Sequence, residues 1–83
     1  MVLSPRAYNE RTGLCVACPI TGQAKGYPFE VSIPSGQGVT GVVLADQVRC
    51  VSWAQRNVSL AGRAQPDLLD DVRERIAALI GIV

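Results

Sequence analysis

Two short segments carry the side chains that could do chemistry. The first is Cys15-Val-Ala-Cys18, which has the C-x-x-C spacing of redox centres and zinc sites. The second is the segment at residues 21–26, which offers a threonine hydroxyl, a side-chain amide, a lysine and two glycines within six positions. Hydroxyl and ammonium groups, together with backbone NH groups at glycine-rich turns, can bind an anion. This segment is therefore a candidate cradle for one phosphate group.

The cysteine pair is better explained by packing than by redox or metal chemistry. On a strand, residues three positions apart point to opposite faces, whereas a redox pair normally has its first cysteine at a helix N-terminus. A tetrahedral zinc site would need two further ligands, and because histidine is absent the sequence offers only Cys50 and carboxylates. We therefore predict that Cys15 and Cys18 are buried, reduced thiols.

The segment at residues 21–26 has two interpretations. It lacks the G-x-x-x-x-G-K-[ST] spacing of nucleotide-binding loops. Short polar segments between strands are usually plain connections. On these residues alone a connecting loop is favoured over a phosphate site, and both interpretations stay open.

Length and composition indicate one small globular domain over residues 1–83. Nearly half of the residues are apolar (48%) and only 18% are charged, which argues against a disordered chain. Residues 1–65 carry six basic and three acidic groups, a balance that permits an RNA partner without demanding one. No apolar run is long enough to span a membrane, and the first residues do not form a signal peptide, so we predict a cytoplasmic protein without membrane contact.

The elements that must position these residues are mostly short strands separated by turn residues. Strands are predicted at residues 1–3, 14–20, 29–33, 42–44, 48–53 and 58–61. Between the first two, residues 6–13 are predicted to form a turn or a single helical turn that ends at Gly13. Five or six short strands favour a small β-barrel or sandwich.

The last element is predicted to be a helix, because its apolar residues recur at intervals of three and four. They are Leu68, Leu69, Val72, Ile76, Leu79 and Ile80. Pro66 suits the first turn of this helix, and Gly81 follows its last apolar residue. We expect the apolar stripe to cover the open face of the barrel.

Four ordered segments of the chain resemble the MazF/PemK family of toxins. They are Val2-Leu3-Ser4-Pro5 with Tyr8-Asn9 and Thr12-Gly13, then Pro19-Ile20-Thr21 with the run from Lys25 to Val31, then the run from Gly41 to Val48 with Trp53, and finally the run from Pro66 to Gly81. The match therefore extends over essentially the whole chain.

The resemblance implies a fold, an activity and partners. The fold would be mainly β with a C-terminal helix, an SH3-like barrel of the CcdB/PemK type that lacks the first strand of the family. The activity would be metal-independent and cofactor-independent cleavage of single-stranded mRNA by an endoribonuclease toxin of a type II toxin-antitoxin system. Such a toxin would be a homodimer that a MazE-like antitoxin neutralises.

The resemblance also implies site residues. The catalytic threonine of the family falls on Thr21, and the predicted RNA contacts are Asn9, Gln23, Lys25, Gln47, Arg49 and Arg56. For Asn9 and Gln47, capping of turns and strand ends is an open alternative, and the basic residues could equally be solvated surface charges. Trp53 could stack on a base, but a role in packing is favoured.

The catalytic arginine of the family belongs to an Arg-Pro pair upstream of the position that matches Met1. An alternative function is therefore a catalytically dead barrel that binds antitoxin or RNA, and a gyrase-directed poison is a more distant possibility. An open sheet edge at the missing strand also predicts low stability.

Overall fold

The computed structural model describes residues 1–55 and 64–82, with two α-helices, one 3-10 helix and five strands in this part of the chain. In chain order they are α1 (Arg6–Thr12), β1 (Leu14–Ala17), β2 (Ile20–Thr21), β3 (Glu30–Ser32), β4 (Val42–Leu44), the 3-10 helix (Ala45–Gln47), β5 (Arg49–Ser52) and α2 (Pro66–Ile80). The predicted strand at residues 58–61 lies outside the described residues.

The strands form two antiparallel sheets. In one, β1 pairs with β5, with Cys15 opposite Val51. In the other, β4 lies between β2 and β3, so that Val43 is opposite both Ile20 and Val31. The prediction of a mainly β fold with a C-terminal helix is confirmed, although the strands of the described residues do not close into a continuous barrel.

The predicted single strand at residues 14–20 is divided between the two sheets. Its first part is β1, its last part begins β2, and Pro19 stands just before β2. Proline has no NH group to donate to a ladder, so it favours a break at this point. The prediction of one continuous strand was therefore wrong, and the chain crosses here from one sheet to the other.

The first residues run alongside β1 as an extended segment and not as a full strand. Val2 forms a single bridge with Ala17. On either side of this bridge, the Leu3 NH donates to the Val16 carbonyl at 2.8 Å and the Cys18 NH donates to the Met1 carbonyl at 2.8 Å. The predicted strand at residues 1–3 is thus reduced to one bridge with two flanking hydrogen bonds.

The helix α1 is longer than the predicted single turn, since it has seven residues. It ends where predicted, at Gly13, whose φ of 71° lies in the left-handed region that glycine adopts freely. The Gly13 NH donates to the Asn9 carbonyl at 3.0 Å, which satisfies one carbonyl of the last turn.

The core lies between the three-stranded sheet and α2. Its buried members are Cys18, Val31, Val43, Ala45, Leu68 and Val72. Leu68 and Val72 come from the predicted apolar stripe of α2, which confirms the prediction for the first half of the helix. The end of the stripe is not buried as predicted, because Leu79 and Ile80 are 43% and 61% exposed. The last turn of α2 therefore presents these two apolar side chains at the surface.

The C-x-x-C cysteines are part of this packing. Cys15 and Cys18 are both buried and both free, as predicted. Burial raises the pKa of the Cys18 thiol, because a thiolate would lose its hydration there. Among the described residues, no three His, Cys, Asp or Glu side chains form a group that could hold a metal ion. No helix in the described ranges is long and apolar enough to cross a bilayer.

Candidate functional site

A cleft of about 260 Å³ opens beside the three-stranded sheet. Its lining residues are Thr21, Gln23, Lys25, Tyr27, Glu30, Leu44, Asp46 and Gln47. Thr21, Glu30 and Leu44 are half-buried, and the other lining residues are exposed. The cleft therefore brings together Thr21, Gln23, Lys25 and Gln47, four of the residues predicted from the sequence.

One wall of the cleft is the segment that connects β2 with β3. Its side chains reach the cleft at every second position, from Thr21 through Gln23 and Lys25 to Tyr27. A period of two is that of extended backbone, in which alternate side chains share a face. One short segment thus brings residues with a hydroxyl, an amide, an ammonium and a phenol to the same cleft.

Thr21 is the best anchored of these residues. It belongs to β2 and pairs with Val42 of the central strand. Its Oγ1 accepts a hydrogen bond from the Gln23 NH at 3.2 Å. Since the hydroxyl acts as an acceptor there, its proton is free to be donated to a ligand in the cleft.

Two backbone NH groups of the loop bind a carboxylate of the chain itself. The Glu30 carboxylate accepts hydrogen bonds from the Lys25 NH, at 3.0 and 3.1 Å to its two oxygens, and from the Gly26 NH at 2.9 Å. If the segment binds a phosphate, the Lys25 and Gly26 NH groups are not available to it, because the Glu30 carboxylate already accepts their hydrogen bonds. Any phosphate contact in the cleft falls to the side chains.

The opposite wall comes from the end of β4 and the 3-10 helix, which supply Leu44, Asp46 and Gln47. The Leu44 NH donates to the Pro19 carbonyl at 2.9 Å, and the Ala45 NH donates to the Phe29 carbonyl at 3.0 Å. This wall is thus tied to the segments on both sides of the loop.

The charges of the cleft are mixed. Among its lining residues Lys25 is the cation, and Glu30 and Asp46 are the acidic residues. The Glu30 carboxylate is directed to backbone NH groups, so Lys25 and Asp46 are the charged groups left at the exposed rim. A phosphate could pair with Lys25 but would be repelled by Asp46.

Two of the predicted RNA contacts that the structure describes, Asn9 and Arg49, do not line the cleft. Asn9 is engaged with Ser4, whose hydroxyl donates to Asn9 Oδ1 at 2.6 Å and whose carbonyl accepts from Asn9 Nδ2 at 3.2 Å. This arrangement agrees with the alternative role of Asn9 in fixing a turn. Arg49 is exposed on β5, in the other sheet. Arg56 lies outside the described residues.

Trp53 has a structural role. It is half-buried, and its Nε1 donates to the Asn9 carbonyl at 2.9 Å and to the Leu14 carbonyl at 3.1 Å. The ring therefore holds α1 against β1, which agrees with the favoured interpretation as a packing residue.

Four lining residues were not among those predicted from the sequence: Tyr27, Glu30, Leu44 and Asp46. The alternation from Thr21 to Lys25 could have identified Tyr27, which continues the same period. No sequence pattern places Glu30, Leu44 or Asp46 in the cleft, because these contacts depend on how β3 and β4 pair.

A small β domain with a terminal helix and a polar cleft of hydroxyl, amide and ammonium groups is suited to binding phosphates and base edges. The family model for PemK-like, MazF-like toxins of type II toxin-antitoxin systems matches residues 1–80. The chain therefore belongs to this family.

Comparisons with individual proteins support the same family assignment. The chain is 47% identical over 81 residues to the endoribonuclease toxin MazF of Escherichia coli K12. The matched region covers 98% of this chain and 72% of that protein. It is similar to a chain in the crystal structure of MazE-MazF (Form-II) from Deinococcus radiodurans, with a TM-score of 0.96, 49% identity and coverage of 100% of this chain and 80% of that one. The crystal structure of MazF (Form-I) from the same organism matches with a TM-score of 0.93, 51% identity and coverage of 98% and 74%.

Proposed function

We propose that this chain is a toxin that cleaves single-stranded mRNA without a metal ion and thereby inhibits translation and growth. The observation that carries the proposal is that one cleft, in a fold that superimposes on MazF structures, holds Thr21 beside Gln23, Lys25 and Gln47. The 47% identity to an endoribonuclease supports the same activity.

The proposed reaction is an internal transfer at phosphorus. The 2′-oxygen of one nucleotide forms a bond to the adjacent phosphorus while the bond from phosphorus to the 5′-oxygen breaks. The 2′-proton leaves to a base, and the departing oxygen gains a proton. The products are a 2′,3′-cyclic phosphate and a 5′-hydroxyl, so the reaction consumes no water and needs no cofactor.

The cleft side chains suit three parts of this reaction. The Thr21 hydroxyl is too weak a base to take the 2′-proton, so we assign it the role of a donor to a phosphate oxygen. The Lys25 ammonium supplies positive charge to the same group. The amides of Gln23 and Gln47 have the paired donor and acceptor that base edges require.

The remaining contacts are proposed to extend the RNA path. Arg49 and Arg56 would meet the phosphate backbone beyond the cleft, as basic residues do along a single strand. Asn9 would contact RNA through whatever hydrogen-bonding capacity its contact with Ser4 leaves free. These three assignments rest on the family resemblance.

The proposed partners follow from the relatives. The MazE-MazF structure from Deinococcus radiodurans is similar to the whole of this chain, which supports a MazE-like antitoxin as the partner of this toxin. We further propose that the domain at residues 1–83 acts as a homodimer and works in the cytoplasm, where mRNA is translated.

A second candidate function is that of a binding module for antitoxin or RNA without catalysis. The charge of the cleft favours it, since Lys25 is accompanied there by Glu30 and Asp46. Stabilising a phosphorane with one lysine is less effective than with a preorganised set of cations.

Incubation of the protein with single-stranded RNA in EDTA separates the two candidates. The ribonuclease proposal predicts fragments that end in a 2′,3′-cyclic phosphate. Binding of intact RNA without fragments would instead support the binding module.

A further inference from the structure

The contact between Glu30 and the loop at residues 22–29 assigns Glu30 a role that the family match does not. We propose that Glu30 is a positioning residue, which holds the loop so that Gln23 and Lys25 line the cleft beside Thr21. The inference rests on the proposed RNA-binding function of this cleft, and it concerns what keeps the cleft in its binding form.

The first observation is the direction of the hydrogen bonds. Both oxygens of Glu30 accept from the Lys25 NH, and one also accepts from the Gly26 NH at 2.9 Å. Hydrogen bonds from NH groups to an ionised carboxylate are shorter and stronger than those between neutral groups. The carboxylate therefore binds the backbone of the residue whose ammonium group faces the cleft.

The second observation is that Glu30 itself is fixed. It is the first residue of β3, it pairs with Leu44 of the central strand, and its NH donates to the Tyr27 carbonyl at 3.1 Å. Its side chain thus projects from the sheet to the loop, and the sheet serves as the rigid support.

The third observation concerns the other contacts of the loop. In the described structure, side chains hold it at two further places: Thr21 Oγ1 binds the Gln23 NH near its start, and Arg75 donates to the Pro28 carbonyl near its end. Gly26, between them, has a φ of 78°, and no atom lies within 4 Å of the position that a Cβ would take. The middle of the loop is therefore held mainly by Glu30.

Two roles of Glu30 give opposite results on RNA binding. If the carboxylate were merely a negative charge in an RNA cleft, its removal would strengthen binding, because phosphates would be repelled less. If it positions the loop, its removal lowers the population of the binding form and weakens binding in proportion. The sign of the change in Kd therefore distinguishes the two roles.

The test uses a single-stranded oligoribonucleotide with a 2′-O-methyl group on every nucleotide, so that the attacking hydroxyl is blocked and binding is measured without cleavage. We expect Glu30→Ala to raise Kd about tenfold, the result of a tenfold smaller population of the binding form. Glu30→Gln keeps one acceptor oxygen and should restore part of this affinity. Asp46→Asn removes a charge from the same cleft without a bond to the loop and should bind at least as tightly as the unchanged protein.

Amide hydrogen exchange measured by NMR gives a readout that does not depend on RNA. We expect the Lys25 and Gly26 amides to exchange about tenfold faster in Glu30→Ala, again in proportion to the smaller population of the held loop. Amides of the β1–β5 sheet, such as those of the facing residues Cys15 and Val51, should be unchanged, which shows that the fold persists. Glu10→Ala is the matched control, since the Glu10 carboxylate pairs with Arg6 on the surface of α1.

An unchanged or lower Kd in Glu30→Ala, or unchanged exchange at Lys25 and Gly26, would overturn the proposal. If Glu30→Ala does not fold, Glu30→Gln decides by the same two measurements. If the unchanged protein binds no RNA, the proposed function fails, and the exchange rates alone decide the role of Glu30.

Discussion

Gly41 lies directly against the backbone of Thr21. A Cβ atom on Gly41 would overlap the Thr21 carbonyl oxygen, and it would stand 2.9 Å from the Thr21 carbonyl carbon and 3.2 Å from Gly22 Cα. Gly41 also has a φ of 120°, which side chains disfavour. The position of the proposed catalytic threonine therefore depends on a close approach that only glycine permits.

The change Gly41→Ala should lower the free energy of unfolding by at least about 1–3 kcal/mol, the usual cost of one strained backbone conformation. Urea unfolding followed by circular dichroism measures it. Gly22→Ala is the control, because no atom lies within 4 Å of the position of its added Cβ and its φ is ordinary. Equal stabilities of the two variants would contradict the close approach.

Replacing Trp53 tests its role in packing. The change Trp53→Phe removes the NH group that serves the Asn9 and Leu14 carbonyls, and leaving such groups without a donor costs about 1–3 kcal/mol. Thermal or urea unfolding should show this loss. Tyr8→Phe is a suitable control, since the Tyr8 hydroxyl is exposed and its partner is the Cys50 sulfur at 4.0 Å. A Trp53→Phe protein as stable as the original would exclude this role.

The three thiols should differ in reactivity. Cys50 is exposed, whereas Cys15 and Cys18 are buried, and burial raises the pKa of Cys18. A thiol reagent at pH 8 should therefore modify one cysteine quickly in the native protein and all three in denaturant, as mass spectrometry can establish. Rapid modification of Cys18 in the folded chain would contradict its burial.

The raised pKa of Cys18 also has a consequence for alkaline stability. Above the ordinary thiol pKa of about 8.5, the unfolded chain loses this proton while the folded chain keeps it. The free energy of unfolding should therefore fall as the pH rises from about 8.5 through the folded-state pKa. In Cys18→Ala the decrease between pH 8.5 and 10 should be smaller, and an equal decrease would assign it to other groups.

The helix α2 is connected to the cleft loop through Arg75. Its guanidinium donates to the Pro28 carbonyl and pairs with Asp71 at 3.4 Å. We expect Arg75→Met to cost about 0.5–1.5 kcal/mol of stability and to speed amide exchange at Gly26, Tyr27 and Phe29. Arg73→Met is the comparison, because Arg73 donates to the Leu3 carbonyl at 3.2 Å, away from the loop. Faster exchange of the loop in both variants would show that Arg75 has no special role there.

The sequence predicted the elements that local rules determine. The period of α2, its glycine end and the glycine end of α1 all follow from residue type and spacing. The division of the strand at Pro19 also has a local cause, but the sheet that each half joins depends on pairing with β4 and β5. The exposure of Leu79 and Ile80 depends on how α2 packs, which its period does not reveal.

The cleft residues also divide into those that the sequence identifies and those that depend on contacts between distant segments. The resemblance selected Thr21 and Gln47, and residue type pointed to Gln23 and Lys25; all four line the cleft. Asn9 also has a residue type suited to RNA, yet its amide is engaged by Ser4. Glu30 was missed because its hydrogen bonds go to backbone groups of another segment, and side-chain identity gives no sign of that.

The rate at which the Thr21→Val variant cleaves single-stranded RNA tests the central proposal most directly. Valine keeps the shape of threonine and removes the hydroxyl, so kcat on single-stranded RNA in EDTA should fall about 100- to 1000-fold, the usual loss for one transition-state donor. Thr21→Ser keeps the hydroxyl and should retain most of the activity. Thr12→Val is the control for the lost turn contact, because Thr12 Oγ1 accepts from the Leu14 NH at 3.1 Å as Thr21 does from Gln23. Cleavage by Thr21→Val at the original rate would contradict the account, as would a protein that leaves RNA intact.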